Sequence, residues 1–126
     1  MKEEHVFQCH VARMLRMSSF LVINCDVMDA MRFLKGAGDR AYFANYHKMR
    51  GYTNGQPDII AGKNGQFYAL ELKGKNGRLS LSQEKFKKRC EEEGLTYLVI
   101  QDYKDVDKLI KENWRGASLG GTFVDD

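Results

Sequence analysis

The feature that most constrains the fold is a predicted β-hairpin centred on Asn64-Gly65. Two short runs rich in β-branched and apolar residues, 58–61 and 66–73, flank a segment of turn-forming residues, 62–65. Asn-Gly is the strongest two-residue hairpin signal, because a type I′ turn requires positive φ at both of its central positions. The sequence therefore predicts two antiparallel strands that meet at this turn.

The length of the hairpin loop decides which side chains share a face of the sheet. With a two-residue turn Asp58 falls opposite Glu71, whereas with a four-residue loop it pairs with Ala69. Both even lengths place Asp58, Glu71 and Lys73 on one face, with Glu71 and Lys73 about 7 Å apart along the strand at about 3.4 Å per residue. Only an odd length would separate them, since a one-residue slip turns every side chain of one strand to the other face.

Asp58, Glu71 and Lys73 form a candidate catalytic set. Two carboxylates on one face repel each other, and a bound Mg²⁺ or Mn²⁺ removes that repulsion. Such cations take carboxylate and carbonyl oxygens and keep several waters, which suits a phosphodiester substrate. A nearby lysine could orient the attacking water and stabilise charge on the phosphate. The alternative is an ordinary cross-strand ion pair on a solvated face, although Glu71 and Lys73 interrupt an otherwise apolar strand.

Three motifs carry a resemblance that spans most of the chain, from about Glu4 to about Tyr103. The chain resembles the virus-type replication-repair nuclease (VRR-NUC) domain of the PD-(D/E)xK nuclease superfamily in Gly55-Gln56-Pro57-Asp58-Ile59-Ile60, in Leu70-Glu71-Leu72-Lys73-Gly74 and in Leu81-Ser82-Gln83. An isolated D…ExK pattern is weak evidence. The ordered set, followed by an apolar strand, is considerably more specific.

This resemblance implies hydrolysis of DNA phosphodiester bonds with Mg²⁺ or Mn²⁺ as the cofactor. By the family's pattern Asp58 and Glu71 are metal ligands, and the backbone carbonyl of Leu72 is a third. Lys73 is the catalytic lysine of that pattern. The resemblance also implies branched or junction DNA as the substrate and a homodimer, since two symmetric cuts need two sites.

Two further residues have a family role and a structural alternative. The resemblance places Glu4, four residues before Gln8, on the first helix as a further metal ligand, and it places Gln83 at the site. An acid in the first turn of a helix also favours the positive end of the helix dipole, and Glu3 competes for the same assignment. Ser80 with Gln83 three residues later is a capping box, which accounts for Gln83 without any catalysis.

Charge is distributed unevenly along the chain. Residues 1–31 carry a net charge of −1, residues 32–89 of +9 and residues 90–126 of −5. A basic middle segment that contains the candidate site is expected of a phosphate-binding surface. The basic residues of the helix after residue 80 are equally explained as its solvated face. The residues that we expect to contact DNA are Lys75, Arg78, Arg40, Lys48 and Arg50.

The order of the predicted elements indicates an α/β fold. Helices are predicted at about 4–16, 40–50, 80–93 and 105–114, and strands at about 20–25, 58–61, 66–73 and 96–100. A strand, a helix and a strand in succession form a right-handed crossover, which places the last strand parallel to residues 66–73. We therefore expect a restriction-endonuclease-like core, a central mixed sheet of about four strands flanked by helices. The nuclease domain should span residues 1–114 and a flexible tail residues 115–126.

The remaining features narrow the class of protein without choosing a substrate. We find no apolar run of membrane-spanning length and no signal segment, so we expect a cytoplasmic protein of a bacterial or phage-infected cell. Three cysteines are too few for a disulfide framework or a zinc site. Asp26 and Asp29 are either extra acids near the site or helix caps. A nuclease acting on RNA or on single-stranded ends, and a non-catalytic DNA-binding module with the same fold, are the alternative functions.

Overall fold

The computed structural model describes residues 3–25, 36, 38, 41, 42, 49, 51 and 53–114, and of Glu4 it describes the backbone alone. Several predictions fall outside these residues and stay predictions. They are the helix over residues 40–50 apart from positions 41, 42 and 49, the roles of Asp26, Asp29, Arg40, Lys48 and Arg50, and the tail at 115–126.

The described residues form a four-stranded mixed sheet flanked by three helices, as the element order predicts. The elements are α1 (Glu3–Met17), β1 (Leu21–Asn24), β2 (Ile59–Lys63), β3 (Gln66–Leu72), α2 (Leu81–Glu92), β4 (Thr96–Ile100) and α3 (Tyr103–Glu112). The strand order is β1-β2-β3-β4, with β1, β2 and β3 antiparallel and β4 parallel to β3. None of the described helices is long and apolar enough to cross a bilayer.

The hairpin between β2 and β3 has the two-residue turn. Lys63 pairs with Gln66, which leaves Asn64 and Gly65 at the centre of the turn. Their φ angles are 55° and 79°, the positive values that a type I′ turn requires. Of the two even loop lengths that the sequence allows, the structure has the shorter.

Asn113, at the end of α3, ties that helix to the hairpin. Its buried side chain accepts a hydrogen bond from the Tyr68 hydroxyl (3.1 Å) and donates one to the carbonyl of Leu109 (2.9 Å). Its own carbonyl accepts from the side-chain amide of Asn64 in the turn (3.1 Å). The end of α3 thus stabilises the turn in addition to the turn's own backbone conformation.

The two faces of the sheet bury different helices. On one face, which we call the α1/α3 face, Leu70 packs in a cluster with Val11 of α1 and Val106 of α3. On the other, the α2 face, Ala69 packs with Cys90 of α2. Because consecutive side chains of a strand point to opposite faces, β3 contributes alternate residues to the two clusters.

The helix ends follow local capping signals. Gly94 has the positive φ of 80° expected just after the end of α2. Helix α3 begins at Tyr103, two residues earlier than predicted. The reason is that Asp102 is its N-cap and Asp105 closes a capping box with it, so Asp105 lies inside the first turn.

Candidate active site

Strand β3 carries a buried carboxylate on the α2 face, and an ammonium group follows just after the strand ends. Glu71 and Lys73 follow Ala69 at intervals of two residues, so they share its face. Only 4% of Glu71 is exposed to solvent, and its Oε2 lies 4.0 Å from Nζ of Lys73. A buried carboxylate needs compensating charge and hydrogen bonds, and Lys73 supplies part of that charge.

Asp58 stands at the point where the regular ladder between β2 and β3 ends. The last paired residues are Ile59 and Leu70, and the Asp58 N–H donates to the carbonyl of Leu70 (3.1 Å). Its Oδ2 accepts from the N–H of Leu72 (2.8 Å), which turns the carboxylate toward the end of β3. The N–H of Cys25 donates to the Asp58 carbonyl (2.9 Å), so strand β1 supports the same residue.

Gln83 forms the predicted capping box and also contacts Glu71. The Ser80 N–H donates to its Oε1 (2.8 Å), and the Gln83 N–H donates to the Ser80 hydroxyl (3.3 Å), which completes the capping box of α2. Its Nε2 donates to Oε2 of Glu71 (3.1 Å). Because the cap occupies the amide oxygen, the amide nitrogen is directed at the carboxylate.

The loop before Asp58 packs closely against the first turn of α2. Gly55 has a φ of 81°, and a Cβ there would overlap the carbonyl of Ser82 and lie 2.8 Å from the Gln83 nitrogen. Gln56 continues the loop and donates from Nε2 to the carbonyl of Cys25 (2.7 Å). The glycine of the G-x-P-D motif is therefore required by close packing, a role that the motif alone did not reveal.

Tyr97 on β4 places a buried hydroxyl near the same carboxylates. Burial, together with the negative charges of Glu71 and Asp58, raises the pKa of this hydroxyl. It makes no hydrogen bond to any residue that the structure describes. From sequence Tyr97 is simply part of an apolar strand, and no sequence signal marks its polar end.

Two of the predicted DNA-contacting residues lie in the loop that follows β3. Lys75 and Arg78 are both exposed. Gln101, which follows β4, braces this loop by donating from Nε2 to the carbonyls of Lys75 (3.3 Å) and Gly77 (3.5 Å). Sequence reasoning did not single out Gln101, because its partners come from a distant segment.

Helix α1 lies on the α1/α3 face, yet its first turns are at the same end of the sheet as Asp58. Gln8 donates from Nε2 to Oδ1 of Asn24 (3.4 Å), and Asn24 pairs with Ile59 next to Asp58. The side chain of Glu4 is outside the described residues, so its place at the site stays a prediction.

The donor set around β3 fits a hard divalent cation. Asp58 and Glu71 offer carboxylate oxygens, the ligands that Mg²⁺ and Mn²⁺ prefer. No three acidic, histidine or cysteine side chains among the described residues come together as a metal-binding group. A cation here would therefore draw further ligands from water, from a substrate phosphate or from the Leu72 carbonyl, as Mg²⁺ commonly does in phosphate-processing sites.

Comparisons with known proteins identify the family. A family model described as the VRR-NUC domain matches residues 4–102. A solved structure described as a VRR_NUC domain superposes with a TM-score of 0.62 at 20% identity, covering 90% of this chain and all of that one. No curated protein matches. The fold is thus that of a nuclease-type α/β domain, and the chain belongs to the VRR-NUC family.

A Gln83→Glu substitution should make stability depend on pH in a way that the wild type does not. Glutamate retains the acceptor for the Ser80 N–H, but it replaces the donor to Glu71 with a second carboxylate. Repulsion raises the pKa of the carboxylate pair, so stability is retained at low pH and lost as pH rises through that raised pKa. By about pH 8 we expect a loss of about 1 to 2 kcal/mol relative to wild type, measured by chemical denaturation.

Ser80→Ala is the matched control for that variant. It removes the hydroxyl of the capping box but leaves the amide of Gln83 and its contact with Glu71. We expect a loss of about 1 kcal/mol that is the same at every pH. A constant difference between Gln83→Glu and wild type across pH 5 to 8 would contradict the proposed contact.

A Gly55→Ala substitution should destabilise the fold more than Gly65→Ala does. The two glycines have nearly equal φ angles, 81° and 79°, so both alanines carry a similar backbone strain of about 1 to 2 kcal/mol. A Cβ at Gly65 meets nothing within 4 Å, whereas one at Gly55 meets the backbone of Ser82 and Gln83. We expect Gly55→Ala, but not Gly65→Ala, to reduce nuclease activity. Activity and thermal denaturation are measured for both variants, and equal effects of the two substitutions would contradict this packing.

Proposed function

We propose that this domain is a DNA endonuclease that depends on Mg²⁺ or Mn²⁺ and selects branched or junction structures. The observation that carries the proposal is the shared contact at Glu71, whose Oε2 meets both the amide of Gln83 and the ammonium of Lys73. Asp58 lies beside it at the end of β3. Membership of a nuclease family agrees with a hydrolytic role for this arrangement.

In this proposal Asp58 and Glu71 hold the metal, with the Leu72 carbonyl and Glu4 as further ligands. When bound, the cation would neutralise charge on the scissile phosphate and lower the pKa of water for attack. Lys73 would orient that water and stabilise the charge that develops on the phosphate. Gln83 would keep the carboxylate of Glu71 in one orientation, because its own amide is oriented by the cap of α2.

The DNA would reach the site across exposed basic residues. Lys75 and Arg78 lie in the loop after β3, and Gln101 supports the backbone of that loop. In the proposal the side chains of Lys75 and Arg78 contact the phosphate backbone, which positions the duplex without reading its sequence. Arg40, Lys48 and Arg50 remain proposed contacts outside the described residues. We further propose that a homodimer makes the two cuts, in a phage-type replication or repair setting.

Metal binding should disappear when Asp58 is changed to asparagine. Asparagine retains a side-chain oxygen for the Leu72 N–H but removes the negative charge that would hold the cation. Mn²⁺ at a hundred times its dissociation constant should stabilise the wild type by about 2.7 kcal/mol in thermal denaturation, and Asp58→Asn by much less. Asp107→Asn, on the exposed surface of α3, should respond like wild type. Equal stabilisation of all three proteins would remove the proposed metal site.

Cleavage should require Lys73 and should depend on the shape of the DNA. With Mg²⁺ or Mn²⁺ we expect the wild type to cut a flap or a four-way junction faster than a plain duplex. Lys73→Met, which keeps the aliphatic stem, should lower the rate by about 100-fold or more. Lys108→Met, an exposed substitution on α3, should leave the rate unchanged.

The same cleavage assay separates the alternative functions. A single strand and an RNA hairpin belong in the substrate panel, and preferential cutting of either would reassign the substrate. Absence of Lys73-dependent cleavage of every substrate would leave a non-catalytic DNA-binding module.

A further inference from the structure

A groove with a polar wall runs between helix α1 and the edge strand β1, on the α1/α3 face. Its volume is about 350 Å³. His5, Gln8 and Arg16 line it from the helix, and Asn24 lines it from the strand. We call this cavity the α1–β1 groove. The candidate active site uses none of these four side chains.

One end of the α1–β1 groove lies beside the candidate active site. Asn24 pairs with Ile59, and Cys25, the residue that follows β1, donates its N–H to the carbonyl of Asp58 (2.9 Å). Arg16 follows His5 by eleven residues of α1, so the groove extends about 16 Å along the helix at about 1.5 Å per residue. A strand of nucleic acid cut near Asp58 could therefore continue into it.

The lining of the groove has the chemistry of a nucleotide site. Its lining includes three apolar residues, Ala12, Val22 and Ile59, of which the half-buried Ala12 and Val22 offer a surface for a flat ring. Gln8 and Asn24, whose side chains are joined by a hydrogen bond from Nε2 to Oδ1 (3.4 Å), carry amides that can both donate and accept, which suits the edge of a base.

Charge points to the same kind of ligand. A guanidinium at Arg16 suits a phosphate, and no carboxylate among the described residues lines the groove. A volume of about 350 Å³ is near the lower end of the range for small-molecule sites, which begins at about 300 Å³. One nucleotide is therefore the appropriate size of ligand.

We propose that the α1–β1 groove binds an unpaired nucleotide of the DNA strand that is cut at Asp58 and Glu71. This inference rests on the proposed function and adds the feature by which the substrate is selected. A base stacked inside a duplex cannot enter a pocket, so only an unpaired or extruded nucleotide can occupy the groove. The groove therefore adds a preference for flaps and strand ends over a continuous duplex.

The test compares dissociation constants for a flapped and a blunt duplex by fluorescence anisotropy, without divalent metal, so that nothing is cut. Arg16→Ala and Gln8→Ala should each weaken binding of the flapped probe about tenfold. Binding of the blunt probe should change by less than about twofold. Arg13→Ala removes the same charge from the same helix outside the groove, and it should affect both probes equally. Melting temperatures verify that each variant is folded.

Two outcomes would overturn the inference. One is a wild type that binds the flapped probe no more tightly than the blunt one. The other is Arg16→Ala and Arg13→Ala behaving alike on both probes, which would indicate general charge attraction alone. Binding and cleavage also separate the two proposals. A preference for the flapped probe that depends on the groove, without cleavage in Mg²⁺ or Mn²⁺, would refute the proposed nuclease function but support the proposed nucleotide site. Cleavage without that preference would support the nuclease function and refute the nucleotide site.

Discussion

The register of the β2–β3 hairpin is the constraint on which the rest of the molecule depends. The two-residue turn at Asn64 and Gly65 directs Glu71 and Lys73 to the α2 face, where the amide of Gln83 meets the buried carboxylate. A slip of one residue would turn both charged groups into the apolar cluster beneath α1 and α3, with no such partners. The turn is also held from outside through Asn113, so the end of α3 helps to maintain the register of a site at the opposite end of the strands.

The first turn of α2 links the stability of the fold to the geometry of the site. One amide closes the capping box through its oxygen and contacts Glu71 through its nitrogen. The Gly55 loop packs against the same turn, and three residues later the chain reaches Asp58. Displacing the start of α2 would therefore disturb the supports of both carboxylates together. Such coupling is a physical reason for the motif that ends at Asp58 and the capping box of Ser80 and Gln83 to occur together in one chain.

Burial of polar groups shows where the sheet departs from a simple apolar core. Glu71 is almost fully buried, and the buried hydroxyl of Tyr97 lies near enough to feel the charges of Glu71 and Asp58. Each polar group removed from water opposes folding unless it is well hydrogen-bonded. The Tyr97 hydroxyl makes no hydrogen bond to a described residue and therefore opposes folding, a cost that the large apolar cluster of the α1/α3 face can offset. At the other end of the sheet, the buried side chain of Asn113 is hydrogen-bonded to Tyr68 and Leu109, so its burial carries less of this cost.

The sequence by itself determined the mixed sheet, the even length of the hairpin loop and the candidate set of Asp58, Glu71 and Lys73. These features follow from local turn chemistry and from the alternation of side chains between the two faces of a strand. It also determined the capping box of α2, and it left open whether Gln83 had a second role. Only the tertiary structure decided that the Gln83 amide also contacts Glu71, that Gly55 is needed for close packing, and that Gln101 and Asn113 brace distant segments. Those contacts join residues far apart in the chain, so no local pattern encodes them, whereas register and capping are properties of adjacent residues.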